Sequence, residues 1–272
     1  MAMRAFRVAY DGTAYHGFQR QPDVPTVEDA LFDALRDLGV LAADADKPSG
    51  FAAAGRTDAG VSALAQTVAF EAPDWLTPRA LNGELPGDVR AWASAEAPPE
   101  FHATHHAASR TYAYYLHAPD ASAERAREAA TRFEGTHDVH NLTPDDEGTV
   151  RAVTDVAVRR DGPFLVVRMR APGFSRQQVR RTVSVLAGVA RDDAGTERVD
   201  AVLSDRELTG PEGIPPAPAE PLVLVDVAYP DLSFERDEEA AASARAVFER
   251  RRVDRQTAAR VAGELAAGVD RG

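Results

Sequence analysis

The chain has 272 residues, enough for one large domain or two small ones, and its 44% apolar fraction fits a soluble globular protein with no run long enough for a membrane-spanning helix. It has no cysteine, which excludes disulfides, thiolate metal sites and thiol nucleophiles. The formal charge of −12, with Lys47 the only lysine, taken alone argues against a phosphate-binding protein.

The opening MAMRAFRVAYDG enters a strand pattern at once, without an apolar stretch of the signal-peptide kind, so the cytoplasm is the expected location. Arg4–Tyr10 alternates as a strand, Asp11-Gly12-Thr13 reads as a turn, and a polar loop follows through HGFQRQPDVP. Thr26 is an N-cap, with Asp29 three residues on as a weak capping-box partner. Val27, Ala30, Leu31, Ala34, Leu35 and Leu38 then form one buried helical stripe, which Gly39 ends. After Gly55–Val61 (GRTDAGV), strands are expected at Gln66–Phe70, Val89–Ala93 and Thr111–Leu116, and a short helix at about Ala121–Phe133. Val150–Arg160 and Phe164–Arg170 read as two strands joined by the turn Asp161-Gly162-Pro163. Val179, Val183, Leu186, Ala187 and Ala190 mark a second long helix. Pro211–Pro221 is a loop and Leu222–Ala228 a final strand. Beyond Asp231 the chain is rich in Ala, Arg and Glu and reads as two helices. Asp254 would cap the second, which carries the stripe Ala258, Val261, Ala262, Leu265, Ala266, Val269. Strands outnumber helices, and each half supplies strands plus a long helix. The expected class is α+β with antiparallel pairing.

Some motifs fail on inspection. Tyr10-Asp11-Gly12-Thr13 matches half of the Asp-x-Asp-Gly-Thr phosphatase nucleophile, but the decisive first aspartate is Ala9. His102, His105 and His106 lack a third ligand at a recognisable metal spacing and read as exposed or hydrogen-bonded histidines. Between Arg151 and Arg181 eight arginines face only two aspartates, a basic window that favours an anionic partner. GRTDAGV can be a plain glycine-bounded turn in which Asp58 caps backbone amides. Yet Arg56 and Asp58 sit close enough to share one small site, and a nearby cation would keep such an aspartate ionised as a nucleophile.

Seven ordered segments carry a resemblance that runs from Arg4 to about Asp231: YDGTAYHGFQRQP, TVEDAL, AGRTDAGVSALAQTVAF, LPGDVRAWA, PEFHATHHAASRTYAYYL, GFSRQQVRRTV and EPLVLVDVAYPD. Together they resemble the tRNA pseudouridine synthases of the TruA type. The resemblance implies isomerisation of uridine to pseudouridine without cofactor or metal, on the 3′ side of the tRNA anticodon stem-loop at positions 38 to 40, by a homodimer. It implies Asp58 as nucleophile and Arg56 as the residue that displaces the target base and takes its place. It implies Tyr112 as the tyrosine that packs on the uracil and takes the C5 proton, and Arg180 as the partner of the aspartate. Gln19, Arg20 and Gln21 match an RNA-contacting loop. The expected architecture is two similar halves, 1–107 and 108–232, sharing a continuous sheet flanked by helices with the cleft between them, followed by a helical tail, 233–272. Whether the aspartate attacks uracil C6 or ribose C1′ stays open. The chain departs from the pattern at Ser62 (histidine in many relatives) and at Phe18 (commonly tryptophan), and it is shorter between His117 and about Arg127. A tRNA-binding protein without catalysis is the alternative. The acidity, with arginine replacing lysine, points to a protein adapted to high salt.

Overall fold

The computed structural model describes residues 1–270, so the last two residues of the expected tail lie outside the described residues. The first strand, β1 (Ala2–Tyr10), ends in a short 3-10 turn, Gly12–Ala14, whose N-cap is Asp11. Helix α1 (Val27–Asp37) follows, capped as its sequence specifies: Thr26 Oγ1 accepts the Asp29 amide at 3.2 Å and donates to Asp29 Oδ2 at 2.5 Å. The half then continues through β2 (Ala52–Ala53), β3 (Ser62–Ala72), α2 (Pro78–Glu84) and β4 (Val89–Glu96). The next stretch supplies β5 (Ser109–His117), α3 (Ala123–Thr131), β6 (Gly135–Asp138), β7 (Val150–Val153), β8 (Asp155–Asp161), β9 (Phe164–Ala171), α4 (Gln178–Arg191), α5 (Glu197–Val202) and β10 (Leu222–Ala228). Strand β11 (Glu235–Arg236) and helix α6 (Glu238–Asp270) complete it.

One nine-stranded sheet holds the order β11-β4-β1-β3-β10-β5-β9-β8, with β2 added on β3, and β6 and β7 make a separate small ladder. Among the described residues its pairings are antiparallel except one: β10 runs parallel to β3, Val223 against Ser62 and Leu224 against Ala63. That seam joins two apolar cores. In the first, Leu31, Phe32 and Leu35 of α1 and Leu81 of α2 cover Phe6, Val8, Val68 and Phe70 of the sheet. In the second, Val183, Leu186 and Val189 of α4 and Ala126 and Ala130 of α3 cover Tyr114, Leu165, Val167 and Met169. Strand β10 serves both, Leu224 and Val227 in the first and Leu222 in the second. Buried Arg7 fastens the seam: it donates to the carbonyls of Ala65 (3.2 Å) and Val227 (2.6 Å), and its guanidinium lies 4.3 Å from the Phe234 ring.

Two expectations are corrected. Val150–Arg160 is not one strand. It divides at Thr154, whose amide and hydroxyl both turn to the Arg170 carbonyl (2.8 and 2.9 Å), so β7 pairs with β6 while β8 pairs with β9. The tail is one 33-residue helix rather than two, about 50 Å long. It contains no proline, Asp254 lies in its interior, and the run of Ala, Arg and Glu has high helix propensity that outweighs Gly263 and Gly268. Helices α2 and α5 and strand β6 are too short to announce themselves by periodicity.

Candidate active site

The GRTDAGV turn sits at the mouth of the seam, immediately before β3. Its shape follows from bonds to buried polar side chains. Gln66, fully buried in β3, donates to the Gly55 carbonyl (2.8 Å), and Tyr10 Oη shares a hydrogen bond with Thr57 Oγ1 (2.7 Å). The Val61 amide closes the turn on the Asp58 carbonyl (3.1 Å). Loop residues preceding α1 brace it from outside: the Phe18 amide donates to the Thr57 carbonyl and the Gly60 amide to the Tyr15 carbonyl, both at 3.1 Å. Asp58 is left projecting while its neighbours Thr57 and Val61 are buried.

The Asp58 carboxylate does not cap the turn. Its hydrogen-bond partner among the described residues is Arg180 of α4, whose Nη1 lies 3.0 Å from Oδ2. The pair is half-sheltered, with side-chain exposures of 14% for Arg180 and 30% for Asp58. Arg180 is aimed by its own second bond, Nε to the Ala217 carbonyl (2.7 Å), and the Ala217 amide returns to the Arg180 carbonyl. The proline-rich loop thus works as a jig for the cation. A charge-assisted hydrogen bond at this distance fixes the orientation of the carboxylate.

Tyr112 comes to the same place from β5, paired to Leu224 on one side and Met169 on the other. Its hydroxyl lies 4.0 Å from where a Cβ on Gly55 would stand. Burial pushes its phenol up to about 12; the Asp58 charge adds to the rise and the Arg110 guanidinium opposes it. Phe174, from the loop before α4, packs edge-on against the ring with centroids 5.5 Å apart.

Asp58 on a braced turn, Arg180 from the other core and Tyr112 on β5 come together at one place, and comparison with known proteins places the whole chain in a family. The family model described as tRNA pseudouridine synthase matches residues 129–230. A tRNA pseudouridine synthase A of Haloarcula marismortui is 57% identical over 98% of this chain and 100% of its own length. One from Natronomonas pharaonis is 58% identical over 97% and 98%, and one from Pyrococcus abyssi 36% identical over 87% and 88%. The chain belongs to the tRNA pseudouridine synthase A family.

In this synthase-family chain the remaining expected site residues lie around that constellation, not in it. Arg56 is exposed and has no hydrogen-bond or ionic partner among the described residues. Gln19, Arg20 and Gln21 are exposed on the loop before α1. Arg20 is bound there, Nε to Asp29 (2.8 Å) and its amide to Glu28 (2.8 Å), and Gln21 donates to the His16 carbonyl. The departures are absorbed locally: Ser62 Oγ accepts the Gly12 amide (3.1 Å), and Phe18 is buried beside Tyr10.

Sequence reading passed over Arg110. It donates to the carbonyls of Ala54 (2.7 and 3.0 Å), Thr104 (2.7 Å) and Pro172, tying three segments together beside the site. The signal was available, since Arg110 is two residues before Tyr112 on a strand and shares its face. The basic window Arg151–Arg181 also changes meaning. Arg160, Arg180 and Arg181 end on backbone carbonyls, and Arg159 and Arg176 pair with Asp161 and Asp145. Arg168, exposed on β9, has no such partner among the described residues. The histidine group is hydrogen-bonded, the His102 amide donating to His106 Nδ1 at 2.8 Å.

Proposed function

We propose that this chain isomerises uridine to pseudouridine in the anticodon stem-loop of tRNA, at positions 38 to 40, with Asp58 as the nucleophile. The observation that carries the reading is the Asp58–Arg180 ion pair across the seam of the two cores, beside Tyr112. A uridine stacked in a stem is out of reach of a carboxylate, so it leaves the stack. Arg56, exposed and uncommitted, takes the vacated place, because its planar guanidinium both stacks and meets phosphate. Asp58 then bonds to uracil C6 or to ribose C1′, the N1–C1′ bond breaks, C5 bonds to C1′ after the ring turns, and the bond to Asp58 breaks to return the free carboxylate. The C5 proton leaves and a proton is gained at N1, so atoms balance with no oxidant or cofactor. Tyr112 packs on the ring. Its phenol is protonated at neutral pH, so its hydroxyl accepts the C5 proton only while passing on its own.

Gln19, Arg20 and Gln21 contact RNA beside the cleft. The enzyme works in the cytoplasm as a homodimer, the exposed stripe Val261, Leu265 and Val269 of α6 serving the contact. The parts 1–107, 108–232 and 233–272 act as two catalytic halves and an appended helix.

Asp58→Asn keeps the size of the side chain and removes its charge. Single-turnover pseudouridine formation should fall by about four orders of magnitude or more. tRNA retention on a filter and the melting temperature should barely change, because phosphate and stacking contacts do not use this carboxylate. Tritium release from uracil-C5-labelled tRNA reads the chemistry directly. Turnover by Asp58→Asn near the parent rate would sink the mechanism, and tRNA binding by the parent without release would leave an RNA-binding protein.

A further inference from the structure

The carboxylate of Asp11 is not part of the constellation around Asp58, yet it is one of the most heavily partnered groups in the molecule. Its side chain is 6% exposed. Oδ1 accepts the Thr13 hydroxyl (2.7 Å) and amide (3.2 Å). Oδ2 accepts Arg251 Nη1 (2.8 Å) and Arg255 Nη2 (2.6 Å), both from α6 and each more than 200 positions away in sequence. Arg251 also reaches Asp88 (3.5 Å), and Asp88 in turn accepts the Tyr15 hydroxyl (2.7 Å). Despite its burial, these partners hold the Asp11 carboxyl below the usual carboxylate range.

What these bonds fix is the loop that braces the catalytic turn. Gly12 lies so close under Val61 that an added Cβ would fall 2.0 Å from the Val61 carbonyl oxygen. Gly17 likewise abuts the turn, where a Cβ would meet the Thr57 oxygen at 2.9 Å. Between them the Tyr15 carbonyl holds the Gly60 amide, and just after them the Phe18 amide holds the Thr57 carbonyl. The line Arg251–Asp88–Tyr15–Gly60 therefore runs from the tail helix to the residue two places after Asp58 through one ion pair and two hydrogen bonds.

We propose that Arg251 and Arg255 are positioning residues of the active site: by clamping Asp11 and Asp88 they make α6 a strut that holds the Gly12–Phe18 loop against the Thr57–Val61 turn and so fixes the Asp58 carboxylate. The proposal rests on Asp58 being the nucleophile. The strut touches neither substrate nor reacting atoms. It acts through the geometry of a carboxylate whose attack tolerates little displacement. At Arg251 the planar fork reaches two carboxylates at once, Asp11 and Asp88.

The test compares single-turnover rate at saturating tRNA with tRNA affinity, in the full-length chain, for Arg255→Gln, Arg251→Gln, Arg251→Gln/Arg255→Gln and Arg255→Lys, with Arg260→Gln as control. Arg260 lies on the same helix, exposed and with no hydrogen-bond or ionic partner among the described residues. The double variant should lose about tenfold or more in rate, each single variant less, with affinity unchanged. Arg255→Lys should recover most of the rate and Arg260→Gln should match the parent. Should the double variant fail to fold, the two single variants decide, since either arginine alone still pairs with Asp11. Folded variants that turn over at the parent rate overturn the proposal. So does a loss matched by an equal loss of tRNA affinity, which would make α6 an RNA-contacting element. A parent chain that forms no pseudouridine would instead overturn the reading of Asp58 itself.

Discussion

Arg180 does two jobs with one guanidinium: Nη1 holds Asp58 and Nε holds the carbonyl of Ala217. Arg180→Met keeps much of the volume and removes both bonds. The carboxylate loses its orienting charge, so turnover should fall by about 10²-fold or more. The lost carbonyl bond should lower stability by only about 1–3 kcal/mol. A calorimetric melt beside a single-turnover assay separates the two, and near-parent turnover would show that the ion pair is not used. Tyr112 offers a pH test. Its folded phenol stands at about 12, whereas an unfolded tyrosine titrates near 10. Between those values the unfolded chain binds fewer protons, so the stability Tyr112 contributes is present below about pH 10 and lost as pH rises toward 12. Tyr112→Phe should flatten part of that alkaline fall in melting temperature. Tyr229, pushed up to about 12 by burial, and Tyr10, raised further by the same cause, should keep the remainder. An unchanged slope in Tyr112→Phe would mean its phenol titrates normally.

Helix α6 is the element whose parts differ most. Its first turns are docked, with Ala240, Ala241 and Ala244 buried and Asp237 Oδ2 accepting the Arg79 amide. Further along, Arg251 and Arg255 hold Asp11. Beyond them Val261, Leu265 and Val269 stay 56%, 67% and 82% exposed, four residues apart on one face. An isolated stretch of that length is marginal as a helix in water. Deleting residues 257–272 should therefore leave the thermal melt nearly unchanged, because residues 257–269 are exposed. If this face joins two copies, the deletion should convert a dimer to a monomer by light scattering and reduce activity. A truncated chain that remains dimeric would move the interface elsewhere.

Across the protein, arginine serves chiefly as a structural cation. Arg4, Arg7, Arg90, Arg110, Arg160, Arg181 and Arg198 each donate to backbone carbonyls of segments distant in sequence or at element ends. A lysine offers three donors from one point and cannot span such carbonyls. This consumes basic groups that would otherwise meet phosphate, and leaves a surface dominated by carboxylates at a net −12. Self-repulsion of that surface should be relieved by cations, so melting temperature should rise between low and molar KCl. A flat or falling trend would contradict adaptation to salt. High salt weakens phosphate contacts, so stacking and shape have to carry more of tRNA binding in such a protein.

Local structure and the chemistry of single positions were legible in the residues themselves. The stripe after Thr26 specified α1 with its cap, the alternation of Arg4–Tyr10 specified β1, and the glycines of GRTDAGV specified a turn presenting Asp58. These depend on hydrogen bonds and faces within a few residues, which composition and period report directly. Tertiary structure alone decided what spans the chain. The resemblance implied Arg180 as the partner of Asp58, but the two stand 122 positions apart, and their adjacency follows from β10 inserting parallel to β3 so that two separate cores meet there. The fate of the basic window, the break at Thr154 and the grip of Arg251 and Arg255 on Asp11 were likewise settled by which distant carbonyl or carboxylate packing brought within reach. A charged side chain of several bonds has no period to betray its partner. Its pairing is chosen after the strands have found their order, and that order is a long-range property of burial.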